Sequence, residues 1–316
     1  LVLCYPDLYE LGMSNLGLKV LLEAARGRER WAAERVFMPD TDLAGRLGER
    51  RVPLFSLETR RPLAGADVLG FTLQTETTYS NILEILRLGA IPRRAAARGE
   101  GHPLVLGGGS GAHHAEPLAP FFDLFLLGDG EEALPALLAR LEALAGRPRA
   151  EVLAGLARAF PWVYVPARFR PVYGGTGRLE GTRPAAADQS ERVTPARVEE
   201  LDRAPFPTAP MLPWFESTHD RITVEIMRGC LHGCRFCQAG MERRPLRLRS
   251  RERVVALVEE TYRRTGYDQV SLLSLSASDH PELREIMADL QARLGPERVG
   301  ISLPSLRVDR ELEWLP

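Results

Sequence analysis

The sequence predicts an α/β fold composed of a doubly wound parallel sheet, a proline-rich connector and part of a (β/α) barrel. Residues 1–145 alternate short apolar strands with helical periods, which is typical of a parallel sheet covered by helices. Residues 204–213 interrupt this alternation with four prolines, and it resumes after residue 220. The 316 residues, 45% hydrophobic and 26% charged, are enough for two domains of ordinary composition.

Five short apolar runs predict the strands of the first part. The predicted strands are Leu1–Tyr5, Glu34–Met38, Val68–Leu73, Leu104–Gly107 and Leu124–Leu127. Helices are expected after Ser14, which would be the N-cap, and around Thr77–Leu88 and Glu131–Leu144. Five such units indicate a flavodoxin-like domain over residues 1–148, and ligands of such domains bind beyond the carboxyl ends of the strands.

Residues 149–219 are expected to connect the two parts. The segment predicts a short helix at Ala150–Phe160, a strand at Trp162–Val165 and a hairpin at Phe169–Leu179 around two glycines. The proline stretch interleaves Phe and Leu with its prolines, so an extended crossing is expected there rather than disorder.

Strand and helix patterns alternate again over residues 220–316. The predicted elements are a strand at Arg221–Met227, a helix from its cap Ser250 to Arg264, a strand at Gln269–Leu273, a helix at Pro281–Leu294 and a strand at Val299–Leu303. Asp279 is expected to cap the second helix, with Pro281 in its first turn. About three β/α units are present, so we expect an incomplete, truncated barrel.

Three of the four cysteines stand in one short run that follows the first strand of this part. Cys230, Cys234 and Cys237 form a C-x3-C-x2-C triplet. Thiolates are ligands of iron–sulfur clusters, and a [4Fe–4S] cluster with three of them has one iron open to another ligand. A zinc site would need a fourth ligand, which only His232 offers nearby, and an odd triplet does not suit disulfides.

The triplet, with Phe236 just before its last cysteine, resembles the cluster motif of the radical S-adenosylmethionine (radical SAM) superfamily. The resemblance implies that the cysteines hold a [4Fe–4S] cluster and that its open iron binds S-adenosylmethionine, which is cleaved reductively to start radical chemistry on a substrate. It also implies that Phe236 packs near the adenine, and an apolar plug under the loop is the alternative role. The order of the parts resembles radical SAM proteins with an N-terminal B12 (cobalamin)-binding-like domain over essentially the whole chain, and their barrels usually have six β/α units.

The predicted contacts to S-adenosylmethionine depart partly from the family pattern. The loop after the second barrel strand often carries Gly-Gly-Glu in this family, whereas residues 274–279 read SLSASD. Ser274 and Ser276 offer oxygen acceptors to the methionyl ammonium in place of that motif. Ser302 and Arg307, near the third strand, are candidates for the ribose and the carboxylate, and packing or surface roles are their alternatives.

A second cofactor, cobalamin, is a candidate ligand of the first domain. Many cobalamin domains carry D-x-H-x-x-G after their first strand, and residues 7–12 keep this frame with Tyr9 in place of the histidine. A neutral phenol is a poor cobalt ligand, so either cobalamin binds without a protein imidazole or the site is lost. The glycine corner that contains Gly108 and Gly109 would flank the nucleotide tail, and a plain tight turn is the alternative.

Composition excludes some partners and leaves others open. The formal net charge of −1 indicates no general attraction to nucleic acid or membranes, and no apolar run is long enough to span a bilayer. Four cysteines without a disulfide framework suit a reducing cytoplasm. The arginine-rich run at residues 243–253 is expected to be a solvated face, with a phosphorylated or RNA substrate as the alternative. The expected partners are an unidentified substrate and an electron donor such as flavodoxin or ferredoxin.

Two further functions compete with a radical SAM enzyme. An RNA methylthiotransferase would need a second cysteine triplet in the first domain, where only Cys4 is present. A non-catalytic iron–sulfur or cobalamin-binding accessory protein would bind the cluster without turning over S-adenosylmethionine, and the missing Gly-Gly-Glu is compatible with it.

Overall fold

The computed structural model describes residues 1–213 and 217–307. The strands are β1 (Val2–Tyr5), β2 (Glu34–Phe37), β3 (Val68–Thr72), β4 (Leu104–Gly108), β5 (Leu124–Leu126), β6 (Val163–Tyr164), β7 (Phe169–Tyr173), β8 (Leu179–Pro184), β9 (Ile222–Glu225), β10 (Met227–Arg228), β11 (Arg247–Leu248), β12 (Gln269–Leu273) and β13 (Gly300–Ser302). The helices are α1 (Tyr9–Ser14), α2 (Leu16–Ala25), α3 (Thr41–Arg50), α4 (Tyr79–Leu88), α5 (Gly130–Ala143), α6 (Arg149–Ala159), α7 (Gln238–Glu242), α8 (Arg251–Thr265) and α9 (Leu283–Leu294). No helix among these residues is both long and apolar enough to cross a membrane.

The chain divides into two compact units. The first contains residues 1–12 and 24–197, and the second contains residues 13–23 together with the chain from residue 198 onward. The residues predicted as a connector, 149–219, are therefore shared between the two units.

The first unit is built on a six-stranded sheet with the strand order β2-β1-β3-β4-β5-β6. The first five strands are parallel, and β6 is an antiparallel edge strand beside β5. This is the flavodoxin-like order, in which the direction of strand succession reverses between β1 and β3. The predicted fold class is confirmed. The long β3 is buried along its whole length, as expected for a parallel sheet covered on both faces.

Two helical features of the first 50 residues differ from the predictions. Ser14 does not cap a helix, because it ends α1, and its hydroxyl instead accepts a hydrogen bond from His219 N at 2.9 Å. The neighbouring Asn15 fills the expected role, since its side-chain oxygen accepts from Leu18 N at 2.8 Å. Helix α3 was not predicted, because its two glycines and its mainly polar residues leave little apolar periodicity, and Leu47 is its buried position.

A buried ionic group joins the end of the sheet to α6 within the first unit. Asp123 precedes β5, and its carboxylate accepts hydrogen bonds from Arg98 Nε at 3.1 Å, Arg149 Nη2 at 2.7 Å and Val105 N at 2.8 Å. The side chains of Arg98 and Asp123 are almost completely excluded from solvent. A carboxylate shared by two guanidinium groups can be buried because each charge has a partner.

The second unit contains the three parallel strands expected of a partial barrel. Its sheet has the order β13-β12-β9, so strands that follow one another in sequence are neighbours, with α8 and α9 between them. Ser250 caps α8 as predicted, accepting from Arg253 N. The predicted strand Arg221–Met227 is divided, because β9 ends at Glu225 and β10 then turns to pair antiparallel with β11.

Two arginines of the basic run are buried, so the prediction of a solvated face is wrong for them. Arg247 donates to Val198 O at 2.8 Å, and Arg249 donates to Leu201 O at 2.6 Å. Val198, Leu201 and Ala204 form a small apolar cluster of their own. The guanidinium groups therefore hold residues 198–204 within the second unit.

Candidate metal centre

The cysteine loop begins directly after β10, on the carboxyl side of the first barrel strand, β9. Gly229 introduces the loop with a φ of +91°, and a Cβ at this position would lie 2.6 Å from Pro245 O and 2.7 Å from Arg243 O. Only glycine tolerates both the conformation and the close backbone approach. Sequence reasoning did not identify Gly229, although a glycine directly before the first cysteine was a readable signal.

The three cysteines are free thiols with different exposure. Cys230 is buried, Cys237 is half-buried and Cys234 is exposed. Cys237 N donates to Cys234 O at 3.0 Å, and the Cys237 sulfur accepts a hydrogen bond from Gly240 N at 3.4 Å. Amide hydrogen bonds to cysteine sulfur are among the contacts by which proteins tune iron–sulfur clusters. Three thiols that form no disulfide lie on one short loop, and the Cys237 sulfur already accepts an amide hydrogen bond. This arrangement fits a [4Fe–4S] cluster.

The loop after β12 contains two buried hydroxyl groups that lack partners. Ser274 and Ser276 are 7% and 2% exposed, and neither hydroxyl oxygen has a hydrogen-bond partner among the described residues. Strand β12 lies beside β9, so this loop emerges at the same edge of the sheet as the cysteine loop. Because an unpaired buried hydroxyl costs about 1–3 kcal/mol, the two serines suit a site that a polar ligand completes.

Asp279 does not cap α9, so that prediction is wrong. The helix begins at Leu283 with Glu282 at its N-cap, and Pro281 lies outside it. Asp279 instead has its Oδ2 2.6 Å from His232 Nε2 in the cysteine loop. Cap rules describe neighbours in sequence, whereas this partner is 47 residues away.

Arg307 reaches the same histidine from the segment after β13. Its Nη1 lies 2.5 Å from His232 Nε2 and 3.0 Å from His232 Nδ1, and its backbone N–H donates to Ser278 Oγ at 3.3 Å. An ionised carboxylate can only accept, so His232 Nε2 donates to Asp279, and the Arg307 guanidinium lies against both ring nitrogens. The sequence predicted Arg307 as a cofactor contact but did not predict its partner.

The other predicted contact residues are placed differently. Phe236 is 92% exposed, so an apolar plug under the loop is excluded and the ring is available to a ligand. Ser302 lies on β13 and donates its hydroxyl hydrogen to Val270 O at 3.3 Å, a contact between neighbouring strands.

The glycine corner of the first unit is largely explained by packing. A Cβ on Gly107 would lie 2.6 Å from the Phe125 ring, and a Cβ on Gly109, whose φ is +98°, would lie 2.9 Å from Leu73 O. Gly108 has more room, because a Cβ there would lie 3.7 Å from Leu126 O. The positive φ supports the tight-turn interpretation for Gly109, and packing against Phe125 explains Gly107.

Two other residues bear on a cobalamin site in the first unit. The Thr72 hydroxyl, at the carboxyl end of β3, is buried without a hydrogen-bond partner in the described part of the chain. Tyr9 follows β1, and its ring packs edge-on against Phe37 at 5.2 Å between centroids. An orphaned hydroxyl at the ligand-binding edge of the sheet fits a polar ligand, and Tyr9 has a packing role.

A separate cleft in the second unit lies away from this chemistry. It is lined at the amino end of β9 by Ile222 and Thr223, together with Lys19 and Tyr267. Parallel α/β units bind ligands at the carboxyl ends of their strands. The cleft therefore does not belong to the candidate metal centre.

Two family models match the chain. The model of the N-terminal region of radical SAM proteins matches residues 17–166, and the model of the radical SAM superfamily matches residues 224–315. Together they cover well over half of the sequence. The chain belongs to the radical SAM superfamily. The resemblance predicted from the cysteine motif is thereby confirmed, and the [4Fe–4S] cluster and S-adenosylmethionine are the cofactors of this family.

Solved structures share the fold of this radical SAM protein. TsrM from Kitasatospora setae, a radical S-adenosylmethionine methyltransferase with tryptophan substrate and the analogue aza-SAM bound, matches with a TM-score of 0.53 and 14% identity over 95% of this chain and 53% of the TsrM chain. A TsrM structure with cobalamin and a [4Fe–4S] cluster bound matches with the same TM-score and identity, over 95% of this chain and 55% of TsrM. This radical SAM chain thus spans little more than half of the TsrM chains, and no curated protein sequence matches it.

Proposed function

We propose that this protein cleaves S-adenosylmethionine reductively at a [4Fe–4S] cluster held by Cys230, Cys234 and Cys237. The observation that carries the proposal is the common edge of β9 and β12, where the free thiols and the unpaired Ser274 and Ser276 hydroxyls emerge. The cluster, when bound, supplies the electron for cleavage. The protein holds three irons, leaves the fourth accessible, and offers serine oxygens to the methionyl ammonium.

Anaerobic reconstitution of the full chain with iron and sulfide tests this proposal. With dithionite in place of a flavodoxin or ferredoxin, we expect S-adenosylmethionine to yield 5′-deoxyadenosine, measured by liquid chromatography and mass spectrometry. A chain that carries about four irons but forms no 5′-deoxyadenosine would instead be an accessory protein. The methylthiotransferase alternative has little support, because Cys4 is fully buried and burial raises the pKa of its thiol.

Removing the orphaned hydroxyl of Ser276 is expected to weaken S-adenosylmethionine binding without destabilising the protein. A hydrogen bond to a charged group contributes about 1.5–3 kcal/mol, so the Kd of the reconstituted Ser276→Ala protein should rise roughly tenfold or more. The thermal midpoint of the cluster-free protein should stay equal or rise, because this hydroxyl has no hydrogen-bond partner within residues 1–213 and 217–307.

Ser250→Ala is the matched control for this prediction. Its hydroxyl caps α8, so its loss should cost about 1 kcal/mol of stability and leave the Kd unchanged. An unchanged Kd in Ser276→Ala would remove Ser276 from the binding site.

For the first unit, we propose that cobalamin binds at the carboxyl edge of its parallel sheet. The flavodoxin-like strand order and the orphaned Thr72 hydroxyl support this, as does the fold shared with a cobalamin-bound TsrM structure. Because the Tyr9 ring packs on Phe37, the side chain at position 9 is not expected to ligate cobalt.

Absorbance spectroscopy tests this second proposal. Protein from a cobalamin-fed host should retain cobalamin, and its spectrum should be the same in Tyr9→Phe, which keeps the ring and loses the hydroxyl. A shifted spectrum in Tyr9→Phe would show phenol ligation, and failure of the wild-type protein to retain cobalamin would contradict the proposal.

A further inference from the structure

The cysteine loop of the second unit has few contacts to hold it in place. Of residues 231–236, His232 alone is not exposed, and Leu231 and Phe236 are 71% and 92% exposed. Apolar burial therefore contributes little to the position of this segment. Gly229 and Cys237 fix its two ends, which leaves the middle of the loop dependent on His232.

His232 connects the loop to two other segments. Its Nε2 donates to Asp279 in the loop after β12, and the Arg307 guanidinium after β13 lies against its two ring nitrogens. The side chains are partly shielded, with 32% exposure for His232 and 22% for Asp279. Hydrogen bonds that involve an ionised partner are shorter and stronger than neutral ones, and both residues that contact this histidine carry charged groups.

The same histidine lies beside the first cysteine of the loop. The Cys230 sulfur, a His232 ring nitrogen and an Asp279 carboxylate oxygen lie within 4.8 Å of one another. A lone cation site at these three atoms is disfavoured, because the His232 and Asp279 atoms already bond to each other and the Arg307 guanidinium adds positive charge. The His232–Asp279 pair is better explained as a hydrogen bond beside Cys230 that holds the loop.

We propose that His232, Asp279 and Arg307 are positioning residues that hold the cysteine loop ready for its cluster before any iron is bound. They join the loops after the first two barrel strands to the segment after the third. The loop therefore loses its conformational entropy when the protein folds rather than when the cluster is assembled. An effect of these residues on S-adenosylmethionine cleavage rests on the proposed function. Their effect on the order of the loop in the iron-free protein does not.

Alkylation of the iron-free full-length protein by iodoacetamide tests the proposal. In Asp279→Ala the rate of modification at Cys230, followed by mass spectrometry, should rise about tenfold, because a lost ion-assisted bond of about 1.4 kcal/mol corresponds to that factor. Cys234, which is already exposed, should change little. Hydrogen exchange of residues 229–237 should rise, whereas that of α8 should not.

Two further variants make the test specific. Asp268→Ala removes an exposed carboxylate of the same unit and should leave the Cys230 rate at the wild-type value. Asp279→Asn keeps an oxygen that can accept from Nε2–H, so it should restore much of the protection. If Asp279→Ala unfolds the unit, seen as increased exchange in α8, Asp279→Asn and His232→Gln decide the question by their Cys230 rates.

A spectroscopic readout separates positioning from plain stability. In reconstituted protein, the change in the electron paramagnetic resonance spectrum of the reduced cluster on adding S-adenosylmethionine should be smaller in Asp279→Ala and normal in Asp268→Ala. Equal Cys230 alkylation rates in these two variants would overturn the proposal. Because alkylation is measured without iron, that result is distinguishable from a failure of the proposed radical SAM activity.

Discussion

Cys234→Ala is expected to abolish cluster retention and 5′-deoxyadenosine formation together. The chain has only four cysteines, and Cys4 is in the other unit, so no spare thiol can replace a lost ligand near the loop. Two thiolates leave two irons of a [4Fe–4S] cluster without protein ligands. After reconstitution and desalting, iron should fall from about four per chain to below one, measured by a colorimetric assay.

Cys4→Ala is the matched control, because it removes the same thiol from a position that is not proposed to bind iron. Cys4 is fully buried in β1, so the substitution leaves a small cavity and should cost about 1–2 kcal/mol. Iron content and 5′-deoxyadenosine yield per folded chain should stay at wild-type values. A Cys234→Ala protein with normal iron and normal product would contradict the proposed function.

Asp123→Ala is expected to destabilise the first unit by about 3–5 kcal/mol, the cost of leaving a buried charge without its partner. Burial lowers the pKa of Arg98, and the Asp123 carboxylate opposes that effect, so removal of Asp123 leaves a buried guanidinium with backbone carbonyl acceptors but without its carboxylate partner. Val105 N and Arg149 lose an acceptor at the same time. Urea unfolding followed by far-ultraviolet circular dichroism measures the change.

Asp188→Ala is the control for this substitution. Asp188 also pairs with two arginines, Arg158 and Arg168, but its side chain is 44% exposed. Exposed ion pairs are screened by water and salt, so we expect little change in the unfolding midpoint. If the two variants had equal midpoints, the Asp123 group would not be a stabilising element of the first unit.

The strands and most helices were predictable because their signals are local. Apolar runs and helical periods placed β12 and α8 within one or two residues of their observed bounds. The strand order followed from the number of β/α units, since parallel strands joined by crossovers permit few topologies. Helix α3 was not predicted, because the tertiary burial of Leu47 stabilises it rather than a repeating apolar pattern.

Predictions about individual polar side chains were less successful, because their partners are distant in sequence. Ser14 and Asp279 are residue types that commonly cap helices. In the structure Ser14 instead accepts a hydrogen bond from His219, and Asp279 accepts one from His232. Arg247 and Arg249 were predicted to belong to a solvated run. In the structure they are buried and donate hydrogen bonds to the backbone oxygens of residues 198 and 201. A sequence pattern shows which groups can bond but not which groups folding brings within reach.

The amino-acid sequence by itself determined the radical SAM family and the candidate cluster ligands, because three thiols within eight residues must share one loop wherever that loop is placed. Their role as ligands stays a prediction that Cys234→Ala tests. Only the tertiary structure decided what surrounds them: the contacts of His232 with Asp279 and Arg307, and the hydroxyls after β12 that find no partner in the described part of the chain. The reason is physical, since neighbouring parallel strands are separated by a whole helix in sequence and meet only after folding.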